Sequence, residues 1–501
     1  MARFLSLLRA MDLLSPRSFF EPTLCVALAL QLPGQSAPPA DARQEPRSVD
    51  SKQDVGSKPW RLHAAFGGPS WLTVSGEQRS RLESLDNQFR GAANGNRVYA
   101  DHDDVFAMRT ALKFDMSGET LGGVLEILDA RQFGLQADSY VDTTMVNAAD
   151  VLQAFGSMQL GELGNGRHEL RAGRQAVDLG SRRLVARNAF RNSINSFTGA
   201  DWIWNGESSS VRAFWFVPVD RLPSDSSSLR NNEWELDSQD ADTQFAGAYH
   251  AHKLSEATSL DTYVFWLGEN AADSRMRDLL TFGFRLCDNY GNYQPTKREG
   301  AWFYEMEAAG QQGESKTNIG AATPISDHQA WFAHVSLGYA FDAPWKPAVQ
   351  VAYDHATGDS RSNDGKNGRF DTLFGARRFE YGPTGIYGAI ARANLVSPEL
   401  RLLLQPVAEV QCMMAWRGAW LAEERDAWTA SGPTPLRDPT GASGTHVGDQ
   451  IEGRVRWDVI PKSFDVEVGF AVLFDGSFQE QASGGQSDDV YYGYLQTTWK
   501  F

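Results

Sequence analysis

The 501-residue chain is poor in cysteine, with Cys25, Cys287 and Cys412 alone. Cys25 falls within an expected export signal, so at most one disulfide can form and a disulfide scaffold is excluded. Past the N-terminus no apolar run reaches the roughly 20 residues of a spanning helix, which excludes a helical membrane protein. A transmembrane β-barrel survives that test, because its strands need apolar residues only at alternate positions. Basic residues are outnumbered, 47 Lys and Arg against 63 Asp and Glu, for a formal net charge of −16. Enzyme signatures are missing as well: no G-x-S-x-G elbow, H-E-x-x-H or P-loop occurs. His250 and His252 share a face at period two, but no further ligand for a closed metal site lies nearby. No enzymatic activity is expected, and no cofactor.

Aromatic residues, by contrast, are plentiful: 28 Phe, 15 Trp and 14 Tyr. Arg3, Arg9 and Arg17 precede the apolar run 23–32 and the small residues GQSAPPA (34–40). Residues 1–40 therefore read as a signal peptide cleaved near 37–40. Residues 41–65 are polar and pattern-free, a flexible linker, and 66–501 form the remaining domain.

From Trp71 onward the dominant period is two. In 104–116, Phe106, Met108, Thr110, Leu112, Phe114 and Met116 oppose Arg109, Lys113 and Asp115. In 451–460, Ile451, Val455, Trp457 and Val459 oppose Glu452, Arg454, Arg456 and Asp458. Residues 463–474 and a dozen further segments, 399–416 among them, repeat the pattern. The strands exceed the 5–6 residues usual in soluble sheets and suit tilted bilayer crossings. Long polar connections at 220–242, 355–386 and 422–446 alternate with short turns, as in outer-membrane barrels. The expectation is all-β: a transmembrane antiparallel barrel of 16–18 strands, wide enough for an aqueous lumen.

In 490–501, Tyr491, Leu495, Trp499 and Phe501 lie on one face of a closing strand that resembles the signal read by the barrel assembly machinery. Arginine on lipid costs about 2–4 kcal/mol at the midplane, so the charged faces must look into the lumen. Arg79 and Arg81 alternate with Glu77 and Glu83 there. The stretch 172–192 gathers Arg174, Arg182, Arg183, Arg187 and Arg191 against the single acid Asp178. Alternation puts Arg171 inside, so Arg174 needs a bulge to turn inward. The segment reads as a strand end and connection folded into or over the pore mouth. Arginine's permanent charge and planar fork suit carboxylates, and weak, multiple sites let an anion enter and leave. The ten arginines Arg79, Arg81, Arg109, Arg174, Arg182, Arg183, Arg187, Arg191, Arg454 and Arg456 are the candidate pathway. Glu77, Glu83, Asp115, Glu452 and Asp458 are their partners in the wall. A salt-bridged ladder that only stiffens the wall is compatible with this. A structural calcium at Asp359 and Asp364 is the weaker alternative for the acidic segment 353–375, which lacks EF-hand spacing.

The segments 173–202, 353–375, 445–457 and 492–501 together resemble the bacterial alginate export family, over nearly all of 72–501. The resemblance implies an 18-stranded outer-membrane porin whose constricted, arginine-lined pore passes an anionic uronic-acid polymer. Arg79, Arg81, Arg454, Arg456 and the arginines of 174–191 are the positions it carries over. The expected partners are outer-membrane lipids, the assembly machinery, an acidic polysaccharide and a periplasmic export complex, with a monomeric barrel and no nucleic acid. Two alternatives stay open: a small-anion porin without polymer specificity, and a periplasmic β-protein that binds glycans without a pore.

Overall fold

A strand whose faces differ over ten or more residues must separate two environments, and its register follows from that demand. The computed structural model describes residues 61–501 except 91, 94, 95, 98, 272–273, 289–299, 318–322, 362–363 and 433–434. Eighteen strands form its wall. The first nine are β1 (Leu72–Asp86), β2 (His102–Ser117), β3 (Leu121–Phe133), β4 (Asn147–Leu163), β5 (Gly166–Gln175), β6 (Phe197–Asn205), β7 (Ser209–Pro218), β8 (Thr243–Lys253) and β9 (Thr258–Glu269). The rest are β10 (Asp278–Asp288), β11 (Ala301–Lys316), β12 (Ile325–Ala340), β13 (Ala348–Ala356), β14 (Leu395–Val407), β15 (Val410–Trp420), β16 (His446–Ile460), β17 (Phe464–Asp475) and β18 (Val490–Lys500). Each pairs antiparallel with its sequence neighbours, and β1 pairs with both β2 and β18, so the sheet closes and no edge remains.

The outer face is apolar. Leu82, Phe282, Val335, Val351, Leu400 and Met414 are 45–52% exposed, a cost in water but not against acyl chains. Trp215, Trp266, Trp331 and Trp416 ring the wall toward one end, and Trp302, Trp457 and Trp499 toward the other. These are the two aromatic girdles of an outer-membrane barrel. At the second end the turns are short, such as 164–165, 206–208 and 461–463, and both termini of the barrel lie there. By the rule for such barrels this end is periplasmic.

The expected signal peptide and most of the expected linker, residues 1–60, lie outside the described residues. The linker's last residues form the short helix α1 (Leu62–Phe66), tied to the β16–β17 turn by Arg61 Nη2 donating to Lys462 O at 2.8 Å. The single segment expected over 399–416 is two strands, β14 and β15, joined by a two-residue turn at Ala408 and Glu409. So short a turn interrupts the apolar alternation too briefly to be noticed.

Closure is sealed at the chain end. Gly76 and Phe501 exchange backbone hydrogen bonds at 2.7 and 3.0 Å, and a Cβ on Gly76 would meet the Phe501 ring at 2.4 Å. Gly76→Val should therefore cost about 1–3 kcal/mol through overpacking. The expected readout is a lower temperature for the heat-induced gel-mobility shift of the folded barrel, and an unchanged temperature would show the seam tolerates the bulk.

Candidate functional site in the barrel lumen

The lumen is occupied by chain. Loop 176–196 leaves β5 at the long-loop end, turns at Gly180 and Arg182, both at positive φ, and descends inside. Three inward arginines of the wall grip its main chain. Arg79 donates to Ala189 O, Phe190 O and Arg191 O at 2.8–3.0 Å and to Asn192 Oδ1 at 3.1 Å. Arg109 donates to Ala189 O and Arg191 O, and Arg81 to Phe190 O. Arg79 and Arg109 sit opposite each other at mid-strand, so the loop reaches the middle of the wall. The Phe190 ring meets the guanidinium groups of Arg81 and Arg378, 3.9 and 4.5 Å from its centroid, a double cation–π contact.

A second loop, 357–394, also folds inward and carries a short helix, α2 (Arg378–Tyr381). The loops join through main-chain bonds of Phe374 to Leu184 and Ala186, and of Ala376 to Arg182. The pair packs through Phe374 against Phe197 and Phe245 of the inner wall at 5.0 Å. Glu380 is the acid at the centre. Arg183 and Arg392 both pair with it, and Arg183 also reaches Glu305 and Glu307 on β11. All three side chains of that core, Arg183, Glu380 and Arg392, are fully buried. Arg401 fixes α2 from below by donating to Phe379 O and Glu380 O. Buried ions are tolerated only when paired and hydrogen-bonded, and this network meets that condition.

The ten predicted arginines separate into distinct groups. Arg79, Arg81 and Arg109 face inward as expected, yet their donors hold loop 176–196 rather than open water. Arg183 is buried in the loop–wall network. Arg454 and Arg456 face the lumen from β16. Arg456 pairs with Asp458 and Asp465 at 3.4 Å, and Arg454 lies in the fields of Glu452 and Glu467. Arg187 lies 3.6 Å from Glu126. Arg182 is exposed, with its guanidinium 5.0 Å from the Phe379 ring. Arg174 is a correction: β5 runs to Gln175 with Arg174 in unbroken register against Thr198, so no bulge turns it inward. It shares the face of Leu170 and bonds Asp150, Val151 O and Gln239 at the rim. Of the predicted wall acids, Glu77 pairs with Arg109 at 2.6 Å, Glu83 with Arg81 at 3.3 Å, Asp115 with Lys113 at 3.8 Å and Glu452 with Arg378 at 3.5 Å.

Sequence reasoning missed a cluster assembled from four separate loops. Arg90, Arg191, Arg221 and Arg377 come together beside a shared carboxylate, Asp142. The tips of Arg377 and Arg90 flank the Cβ position of Gly388 at 3.4 and 3.6 Å. Among the described residues none of the four has a carboxylate within ion-pair distance. Arg90 and Arg377 donate to carbonyls and Arg221 to Asn195 Oδ1. Burial, and then the like charges of Arg191 and Arg90, hold the Arg377 guanidinium down to about 9. Only Arg191 belongs to the basic stretch. The others stand singly or in a common Arg-Arg pair, with no local signal that they converge.

Among the described residues one trio of His and carboxylates could approach a metal, His334, Asp354 and Glu380. Arg417 on Asp354 and Arg183 and Arg392 on Glu380 already supply its positive charge. Asp359 and Asp364 do not belong to that trio. Asp359 accepts from Gly368 N at 3.4 Å and Asp364 from Lys366 N at 2.9 Å. His250 and His252 stack on the outer face, where Ser209 bonds His252.

The barrel is similar to solved porins of Pseudomonas aeruginosa. OccK8 (OprE) superposes with a TM-score of 0.53 at 12% identity over 86% of this chain and 98% of that one. OccK9 (OpdG) gives the same values, and OccK1 (OpdK) gives 0.52 at 13% identity over 85% and 98%. At such identities the likeness is one of fold. No curated protein sequence matches the chain. The family model for alginate export matches residues 70–492, and with the closed eighteen-strand wall this makes the chain an outer-membrane channel protein of the alginate export family.

Proposed function

We propose that the protein is a passive channel for an acidic polysaccharide or its oligomers, of the uronic-acid type, in the outer membrane. The observation that carries this is the cluster of Arg90, Arg191, Arg221 and Arg377, four cations held inside a barrel around one shared carboxylate, Asp142, with none of the four in ion-pair contact with an acid among the described residues. Charge of one sign in a low-dielectric passage concentrates the opposite ion, despite a net charge of −16 for the chain. Loops 176–196 and 357–394 set the constriction. The exposed Arg182 and the lumen-facing Arg454 and Arg456 extend the positive path. Arg79, Arg81, Arg109 and Arg183 shape the constriction without needing to touch the substrate. The barrel works as a monomer in lipid, placed there by the assembly machinery through its closing strand, and a periplasmic complex supplies or receives the polymer.

Planar bilayers test the reading. Under a salt gradient the reversal potential should report anion preference, and oligouronates should block the current at lower concentration than galacturonate. Arg191→Ala with Arg377→Ala should reduce the anion-to-cation permeability ratio severalfold. Cation preference in the native protein would overturn the proposal. Anion preference without oligouronate block would leave a small-anion porin.

A further inference from the structure

A second positively charged site lies elsewhere in the barrel mouth. A narrow cleft open to solvent sits between the long-loop ends of β10–β12 and loop 357–394. Four cations line it, Arg275, Arg277, Lys316 and Arg369, with one carboxylate, Asp371. Arg277 binds both oxygens of that carboxylate at 3.0–3.1 Å. Arg275 stands 3.6 Å from it with nearly half its side chain exposed.

A hydrogen-bond relay fixes what the cavity presents. Arg369 N donates to Asn367 Oδ1 at 3.1 Å, which sets the amide so that Nδ2 donates to Ser315 Oγ at 2.8 Å. The Ser315 hydroxyl, already accepting there, lies 2.9 Å from His328 Nδ1, and donating its proton to that nitrogen satisfies both groups. A neutral imidazole with Nδ1 accepting carries its proton on Nε2. His328 is 4% exposed, and its Nε2 has no hydrogen-bond partner among the described residues. A buried N–H left unmatched costs about 1–3 kcal/mol. The donor faces a cleft in which Arg277 is paired with Glu269 and Asp371 and Arg369 with Asp426, which leaves the half-exposed Arg275 as the cation least engaged by acids.

We propose that this cavity binds a small oxyanion, the carboxylate of an acidic sugar or inorganic phosphate. His328 Nε2–H is its buried donor, and the half-exposed Arg275 supplies charge. Because the relay runs through Asn367, a bound anion also fastens loop 357–394 to the ends of β11 and β12. The site shares no residue with the arginine cluster and does not depend on the transport reading.

Equilibrium dialysis of the full-length, detergent-solubilised barrel against labelled galacturonate and, separately, labelled inorganic phosphate tests it. One saturable site is expected for at least one probe, and the probe that binds identifies the source of the oxyanion. His328→Phe should weaken that binding about tenfold or more, the scale of a lost hydrogen bond to a charged group. His328→Gln, which keeps an N–H donor, should restore most of it. Ser315→Ala frees the imidazole tautomer and should weaken binding less, giving a second variant should His328→Phe fail the boiled-gel test of folding. Absence of saturable binding by either probe up to about 50 mM, far above a millimolar dissociation constant, would overturn the proposal. So would native-like binding by folded His328→Phe. Unchanged anion preference of His328→Phe in bilayers would separate this site from the proposed permeation path.

Discussion

Glu380→Gln should raise single-channel conductance severalfold and make the current noisy, while the barrel itself still folds. Glu380 is the shared partner of Arg183 and Arg392, and all three are fully buried. With a neutral amide in its place, Arg392 loses its ion-pair partner inside the network, while Arg183 keeps Glu305 and Glu307. Removing one partner from a buried ion pair costs about 3–5 kcal/mol, because the remaining charge is stranded. That loss falls on the contact between loop 357–394 and loop 176–196. It does not fall on the strand ladder, whose closure by β1 and β18 is independent of Glu380. The loops should therefore loosen within an intact wall. Conductance recorded in planar bilayers decides the matter, with the heat-induced mobility shift as the check on folding. Native conductance in a folded variant would show that the loops do not define the aperture.

The double variant Arg79→Ala with Arg109→Ala should also raise conductance, and here the sign separates two roles. If these arginines served mainly to attract the permeating anion, their loss would lower anion current. In the structure they make six hydrogen bonds to residues 189–192, so their loss should release the loop and widen the passage. Hydrogen bonds from a charged donor are worth about 1.5–3 kcal/mol each, without strict additivity, so removing six is expected to loosen residues 189–192 while Arg81 and the Arg183 network still hold the rest of the loop. Protease cleavage within 176–196 in the folded variant should rise in parallel. A fall in anion current with no new cleavage would return both residues to the permeation path.

The wall was legible because strand alternation is a local property. Phe464 through Phe474 outward and Asp465 and Glu467 inward follow from pattern and the cost of charge on lipid alone. The same reasoning placed Arg79, Arg81, Arg109, Arg454 and Arg456 on the inner face. What alternation cannot tell is what meets those side chains, since the partners of Arg79 lie over a hundred residues away. Arg182 and Arg183 make the point within two positions. They are identical in type and adjacent, yet one is exposed and the other fully buried against Glu305, Glu307 and Glu380. The left-handed turn at Arg182 and acids far down the chain decide between them. Arg174 failed for the opposite reason: simple alternation, which places Arg171 inside, holds through Gln175, and the bulge that would turn Arg174 inward is absent.

The grip of β1 and β2 on loop 176–196, and of β11 and loop 357–394 on the same segment, also constrains the order of assembly. Arg81 bonds Gln496 across 415 positions and Arg183 bonds Glu380 across 197. Contacts so distant in sequence are slow to form, because long segments must be brought together first. Both loops are rooted at the long-loop end and reach the lumen through its open mouth, but their seat on β1 is complete only once β1 meets β2 and β18. Closing the seam is then the step that completes their docking surface, and native conductance becomes a record of whether both loops reached it.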